Sequence, residues 1–164
     1  MTATETANTT ATATHTAAPT TPEATGTTAT TGTTEASRAV VQAYMDTLMT
    51  GDIPALKGFF TPTSTWTLAG DLPLSRTWTG PAEILEEFVP AMLARFEADS
   101  VEFAFDGLLA DGDRVLAEWN TRARAKAGGR YDQHCLAVFT VADGRIAAVR
   151  EYIDTLHART VVFA

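Results

Sequence analysis

Three turn signals constrain the fold of this chain most. Asp111-Gly112, Gly128-Gly129 and Asp143-Gly144 cut its C-terminal half into four runs, residues 101–110, 114–125, 130–141 and 145–153. Such dipeptides supply the positive φ angles of tight hairpin turns. Each run is rich in Val, Phe, Trp, Tyr or Ile and carries stretches of alternating apolar and polar residues, the period of a strand with one buried face. Four strands joined by short turns must pair in sequence, so an antiparallel meander is expected.

The N-terminal half has a different period. Val40, Val41, Tyr44, Met45, Leu48 and Met49 recur at helical spacing, with Ser37 placed to cap the helix and Gly51 to stop it. Asp52 can cap a second, short helix with Pro54 in its first turn, ended by Pro62. Residues 65–68 read as a strand, and 70–80 as a loop or short hairpin carrying Trp78. A third helix starts at Pro81, shows Ile84, Leu85, Phe88, Val89, Met92, Leu93 and Phe96, and should be kinked by Pro90. Helices first and antiparallel strands later predict an α+β domain.

Composition breaks near Ser37. Residues 1–36 are mostly Thr and Ala with no Lys, Arg or aromatic residue. Such a stretch has too little to bury to offset its ordering entropy, so a disordered tail over 1–36 and a single domain over 37–164 are expected. The formal net charge of −8 disfavours phosphate backbones and anionic membranes. Apolar runs fall short of the ~20 residues of a membrane span. One cysteine, Cys135, allows no internal disulfide, which fits a reducing cytoplasm.

Three stretches resemble a known superfamily. Val40-Val41-Gln42-Ala43-Tyr44, then Gly51 to Leu56 and Phe59-Phe60, are similar to the first two helices of ketosteroid isomerases and SnoaL-like proteins. Trp78-Thr79-Gly80-Pro81 resembles their third-helix entry, and Phe139 to Asp154 their last hairpin. The chain thus resembles the SnoaL-like, nuclear-transport-factor-2-like superfamily over about residues 37–160. The resemblance implies a cone-shaped roll: a curved, mainly antiparallel sheet wrapped around a cavity, with three N-terminal helices. It also implies a small apolar ligand and a homodimer through the outer sheet face, with no cofactor and no metal. The fold hosts many chemistries, so activity has to be argued from the site.

Carried over residue by residue, the isomerase pattern keeps its tyrosine at Tyr44, but Leu68 and Ala137 fall where its two carboxylates would stand. The limonene-epoxide-hydrolase pattern keeps its last acid at Glu151, but Trp119 and Thr121 replace its Arg and first Asp. Glu118 and Arg122 can substitute only if that strand's register differs by one residue, which reverses every side chain. SnoaL-type cyclases pair a carboxylate with a histidine, which points to Glu151 and His134. If Glu151 faces inward, however, Ala137 and Phe139 do too, and His134 faces out unless a bulge intervenes.

The candidate catalytic residues are therefore Glu151, Tyr44 and His134. The candidate substrate-binding residues are Trp66, Trp78, Phe88, Trp119, Tyr131, Glu118 and Arg122. Cys135 reads as a small core residue, since its neighbour His134 faces the other way. Glu151, Asp154 and His157 lack metal-ligand spacing; Asp154 and His157 read as caps on the last strand. The expected function is acid–base catalysis on an apolar molecule: polyketide-type cyclisation or isomerisation, or epoxide opening. The alternative is a non-catalytic ligand-binding or dimerisation module.

Overall fold

A computed structural model describes residues 27–164. Residues 1–26, most of the expected tail, lie outside the described residues. Helix α1 spans Thr27–Met49, so it starts ten residues before the expected boundary at Ser37. Ser37 is buried inside the helix and does not cap it. Tertiary contacts outweigh the modest helix propensity of threonine here. Gly112 N–H donates to Thr34 Oγ1 at 2.8 Å, and Arg38 Nη1 donates to the Leu108 carbonyl at 3.0 Å. Both bonds tie the N-terminal half of α1 to the third strand and the turn that follows it.

The second helix is a single 3-10 segment, Pro54–Phe59. Asp52 accepts from the Ala55 N–H at 3.1 Å, as its sequence position suggested. Strand β1 (Phe60–Leu68) follows at once, so it starts earlier than residue 65 and runs through Pro62. It pairs with the short β2 (Thr77–Thr79), setting Trp66 opposite Trp78. The third helical segment is continuous over 80–93. It consists of α2 (Gly80–Ala82), a π-helical turn (Glu83–Phe88) and α3 (Val89–Leu93). The wide turn falls just before Pro90, where the missing N–H breaks the ordinary ladder.

The meander follows the expected limits closely: β3 (Glu102–Asp111), β4 (Arg114–Arg124), β5 (Arg130–Ala142) and β6 (Arg145–Tyr152). At the last turn both Asp143 and Gly144 have positive φ, as the Asp-Gly signal requires. The six strands form one curved open sheet in the order β2-β1-β6-β5-β4-β3. All pairs are antiparallel except β1 with β6, so the sheet is mixed. A short C-terminal helix, α4 (Thr155–Val161), was not evident from the sequence. Asp154 caps it, accepting from the N–H groups of Leu156 and His157 at 2.9 and 3.0 Å.

The core lies between the concave face of the sheet and the helices. Tyr44, Met45 and Val41 of α1 pack there with Phe60, Phe139, Val115 and Ile146. Tyr44 meets the rings of Phe60 and Phe139 at 5.7 and 5.6 Å, and such pairs add about 0.5–1.5 kcal/mol each beyond burial.

Candidate functional site

Strand register decides which side chains reach the interior. On β4, Val115, Ala117, Trp119, Thr121 and Ala123 are buried, while Arg114, Arg122 and Arg124 are exposed. On β5 the buried set is Tyr131, Gln133, Cys135, Ala137, Phe139 and Val141. The strands align Trp119 with Cys135 and Asn120 with His134. The open choice of register is thus resolved: Trp119 and Thr121 face inward, and Glu118 and Arg122 do not.

Three sequence candidates are corrected by this. His134 lies on the outer face, 3.9 Å from Glu118, both well exposed. No bulge interrupts β5 between Arg130 and Thr140 to turn it inward. Arg122 is on the same face, paired with Asp132 at 3.2 Å. These outward residues cannot touch a ligand held inside. Trp78 is also displaced. It is buried behind the wall, with its ring 5.4 Å from Phe88, the Arg76 guanidinium 3.5 Å above it, and its N–H on the Leu74 carbonyl.

The other candidates converge. Tyr44, Trp66, Phe88, Trp119, Tyr131 and Glu151 line one cavity of about 120 Å³. α1 supplies Tyr44 and Leu48, β1 Trp66, and the helical segment 80–93 Phe88, Val89, Met92 and Leu93. The meander adds Phe103, Thr121 and Cys135. The sequence reading missed Met92, Leu93, Phe96, Thr121 and Cys135 as lining residues. Their apolar or small character marks them only as core, and no local signal separates a cavity wall from a filled core.

Glu151 is the polar centre. Trp66 Nε1–H donates to its Oε2 at 2.9 Å. Its neighbours across the sheet are Leu68 on β1 and Ala137 on β5. Those are the two positions where the isomerase pattern would place its carboxylates. One acid, on the strand between them, therefore occupies that level of the sheet. Burial raises its carboxyl from 4.5 to about 7, against the opposing pull of the Trp66 hydrogen bond. Arg122 and Arg124 do not neutralise it: both lie on the outward face, paired with Asp132 and Glu97.

The surrounding weak acids stay protonated. Burial, then the nearby Glu151 charge, push the Tyr44 hydroxyl up. Tyr131 is raised for the same reasons, with Cys135 and Asp154 adding to the effect. The Cys135 thiol is pushed up to about 12 by burial and by Glu151, so it is a poor nucleophile. Tyr131 is held in place by Phe96 at 5.2 Å and by His157, stacked at 5.5 Å. His157 in turn accepts from the Asp132 N–H at 3.3 Å. Asp154 and His157 thus build the closing turn around Tyr131.

The arrangement holds one carboxyl able to give or take a proton near neutral pH, in a wall of aromatic and aliphatic groups. Among the described residues no helix is long and apolar enough to cross a membrane.

Comparison with known proteins agrees with this geometry. An NTF2-like protein from Burkholderia xenovorans LB400 superposes with TM-score 0.63 at 23% identity, covering 79% of this chain and 97% of that one. A putative SnoaL-like polyketide cyclase from Jannaschia sp. CCS1 gives TM-score 0.67 at 16% identity, covering 80% and 94%. A putative isomerase from Bacillus subtilis gives 0.61 at 18% identity, covering 77% and 92%. At these identities the likeness is one of fold. No curated protein matches the sequence. The family model of the SnoaL-like domain matches residues 41–160, nearly the whole folded region, and the chain belongs to that family.

Proposed function

We propose that this chain binds an apolar small molecule in its cavity and that Glu151 moves a proton on or off it. The observation that carries the reading is the half-buried Glu151 carboxyl, held by the Trp66 N–H in a cavity whose other described lining residues are uncharged; desolvation there raises it to about 7. A group with a pKa near the working pH is effective both as acid and as base. The relatives named as a polyketide cyclase and an isomerase support cyclisation or isomerisation as the reaction class. Epoxide opening is the weaker choice, because Trp119 and Thr121 stand where its Arg and Asp would be.

Tyr44 and Tyr131 are the candidate donors to a developing oxyanion, since both hydroxyls stay protonated and line the same cavity. The outer sheet face, with Leu116, Leu136 and Val138 half-buried, is the proposed homodimer surface. A cytoplasmic location fits the single cysteine.

The test is deuterium exchange at the carbon beside a carbonyl, followed by NMR on acetophenone and α-dimethylaminoacetophenone. The expected result is exchange above the buffer rate, reduced by about 10²–10⁴-fold in Glu151→Gln. Binding of either ketone without faster exchange, or full exchange in the variant, would overturn the catalytic role and favour a binding module.

A further inference from the structure

The cavity carries one charge, and it is negative. Among the described residues, Glu151 is the one charged side chain that lines it. Its Oε2 takes the Trp66 N–H, while Oε1 has no hydrogen bond among the described residues. The groups facing it from the packed elements are Tyr44 from α1, Trp66 from β1, and Tyr131 and Cys135 from β5, with Asp154 beyond Tyr131. The helical segment 80–93 contributes only Phe88, Val89, Met92 and Leu93. None of these supplies a positive charge.

An ionised carboxylate that is half-buried and has a single hydrogen bond is costly, and an opposite charge relieves that cost. An anionic ligand would worsen it, and a neutral one would leave it unchanged. The wall favours the same answer. The faces of Trp, Tyr and Phe attract cations through the ring quadrupole, best when the site is dry. Trp66, Trp119, Tyr44, Tyr131 and Phe88 supply such rings. The chain's net charge of −8 also raises the local concentration of cations.

We infer that the cavity takes a small organic cation: a protonated amine on a single ring, its nitrogen on the free oxygen of Glu151 and its ring against the aromatic wall. This names the ligand class of the site proposed above and rests on that reading of the cavity. The size limits the ligand to one ring, since about 120 Å³ is somewhat below the ~150 Å³ cavity that holds benzene. A bound cation would also hold Glu151 as carboxylate, the form that accepts a proton.

Calorimetry on the full chain with benzylammonium, ethylbenzene and benzoate tests this. Benzylammonium should bind at least about tenfold tighter than ethylbenzene at pH 8, and benzoate weakest. Below the Glu151 pKa the benzylammonium affinity should fall by up to about tenfold per pH unit, while ethylbenzene should hardly respond. Glu151→Gln should abolish the preference and keep ethylbenzene binding. Equal or tighter binding of ethylbenzene, strongest binding of benzoate, or an unchanged benzylammonium affinity in the variant would overturn the inference. Should the variant not fold, the pH dependence of the unaltered protein decides alone. Binding of ethylbenzene without a cation preference removes this inference and leaves the cavity reading standing. Binding of none of the three removes both.

Discussion

Glu151 enters the cavity from β6, on the same face as Val149 and Ile153, and the cost of ionising it there is a property of the folded state. Between pH 4.5 and about 7 the folded protein holds a proton that the unfolded chain has lost. Unfolding stability therefore falls as pH rises through this window. The contribution is fully present below 4.5 and lost above about 7, with a span of about 3 kcal/mol. Glu151→Gln should remove it. Denaturant titrations at pH 5 and pH 8 should show the variant gaining stability over the original chain mainly at pH 8. Equal pH profiles for both would mean that Glu151 is solvated. Trp66 opposes this shift through its N–H. Trp66→Phe should move the Glu151 midpoint further up, measured by NMR of the labelled carboxyl, and a midpoint that stays or falls would contradict the role given to that bond.

At the scale of elements, α4 shows how a short segment is held by partners distant in the chain. Seven residues make no stable helix alone, and this one depends on its Asp154 cap and on docking. Gly70, in the loop after β1, makes that docking possible. Its φ is +104°, and a Cβ there would stand 2.5 Å from Thr155 Cγ2. Gly70→Ala should destabilise by about 1–3 kcal/mol through backbone strain and this clash together. Thr155→Ser, which removes Cγ2, should recover part of the loss in the double variant. Strict additivity of the two changes would show that the contact is not the cause. The start of α1 makes a similar case. Thr34 ties it to the β3–β4 turn, so Thr34→Ala should cost about 1 kcal/mol in thermal or denaturant unfolding.

For the whole molecule, the sheet presents two chemically different faces. The concave face holds the cavity. The convex face carries Leu116 beside Val138, and Leu136 beside the exposed Tyr152, among charged pairs such as Arg122 with Asp132. We expect this surface to bury a second copy of the chain. Val138→Glu should convert the dimer to a monomer in light scattering without altering ethylbenzene binding. A monomer for the unaltered chain at high micromolar concentration would rule the interface out.

Much of this architecture is local information. Turn dipeptides and alternating residues define four of the six strands, because hairpin turns and strand periodicity act over a few neighbours. The prolines, the Asp52 cap and the helical spacing similarly mark the N-terminal elements. The resemblance marked Tyr44 and Glu151, and aromatic character marked Trp66, Phe88, Trp119 and Tyr131; all six line the cavity, while Trp78, marked in the same way, does not. What only the tertiary structure decided is which way the meander faces. A register shift of one residue exchanges Trp119 and Thr121 for Glu118 and Arg122. Cross-strand pairing and burial against the helices resolve that choice, turning Glu118, Arg122 and His134 to the outside. The early start of α1 and the formation of α4 have the same origin. Both are stabilised by residues distant in the chain, Gly112 and Leu108 for one and Asp132 for the other. Short-range propensity contains no term for such partners.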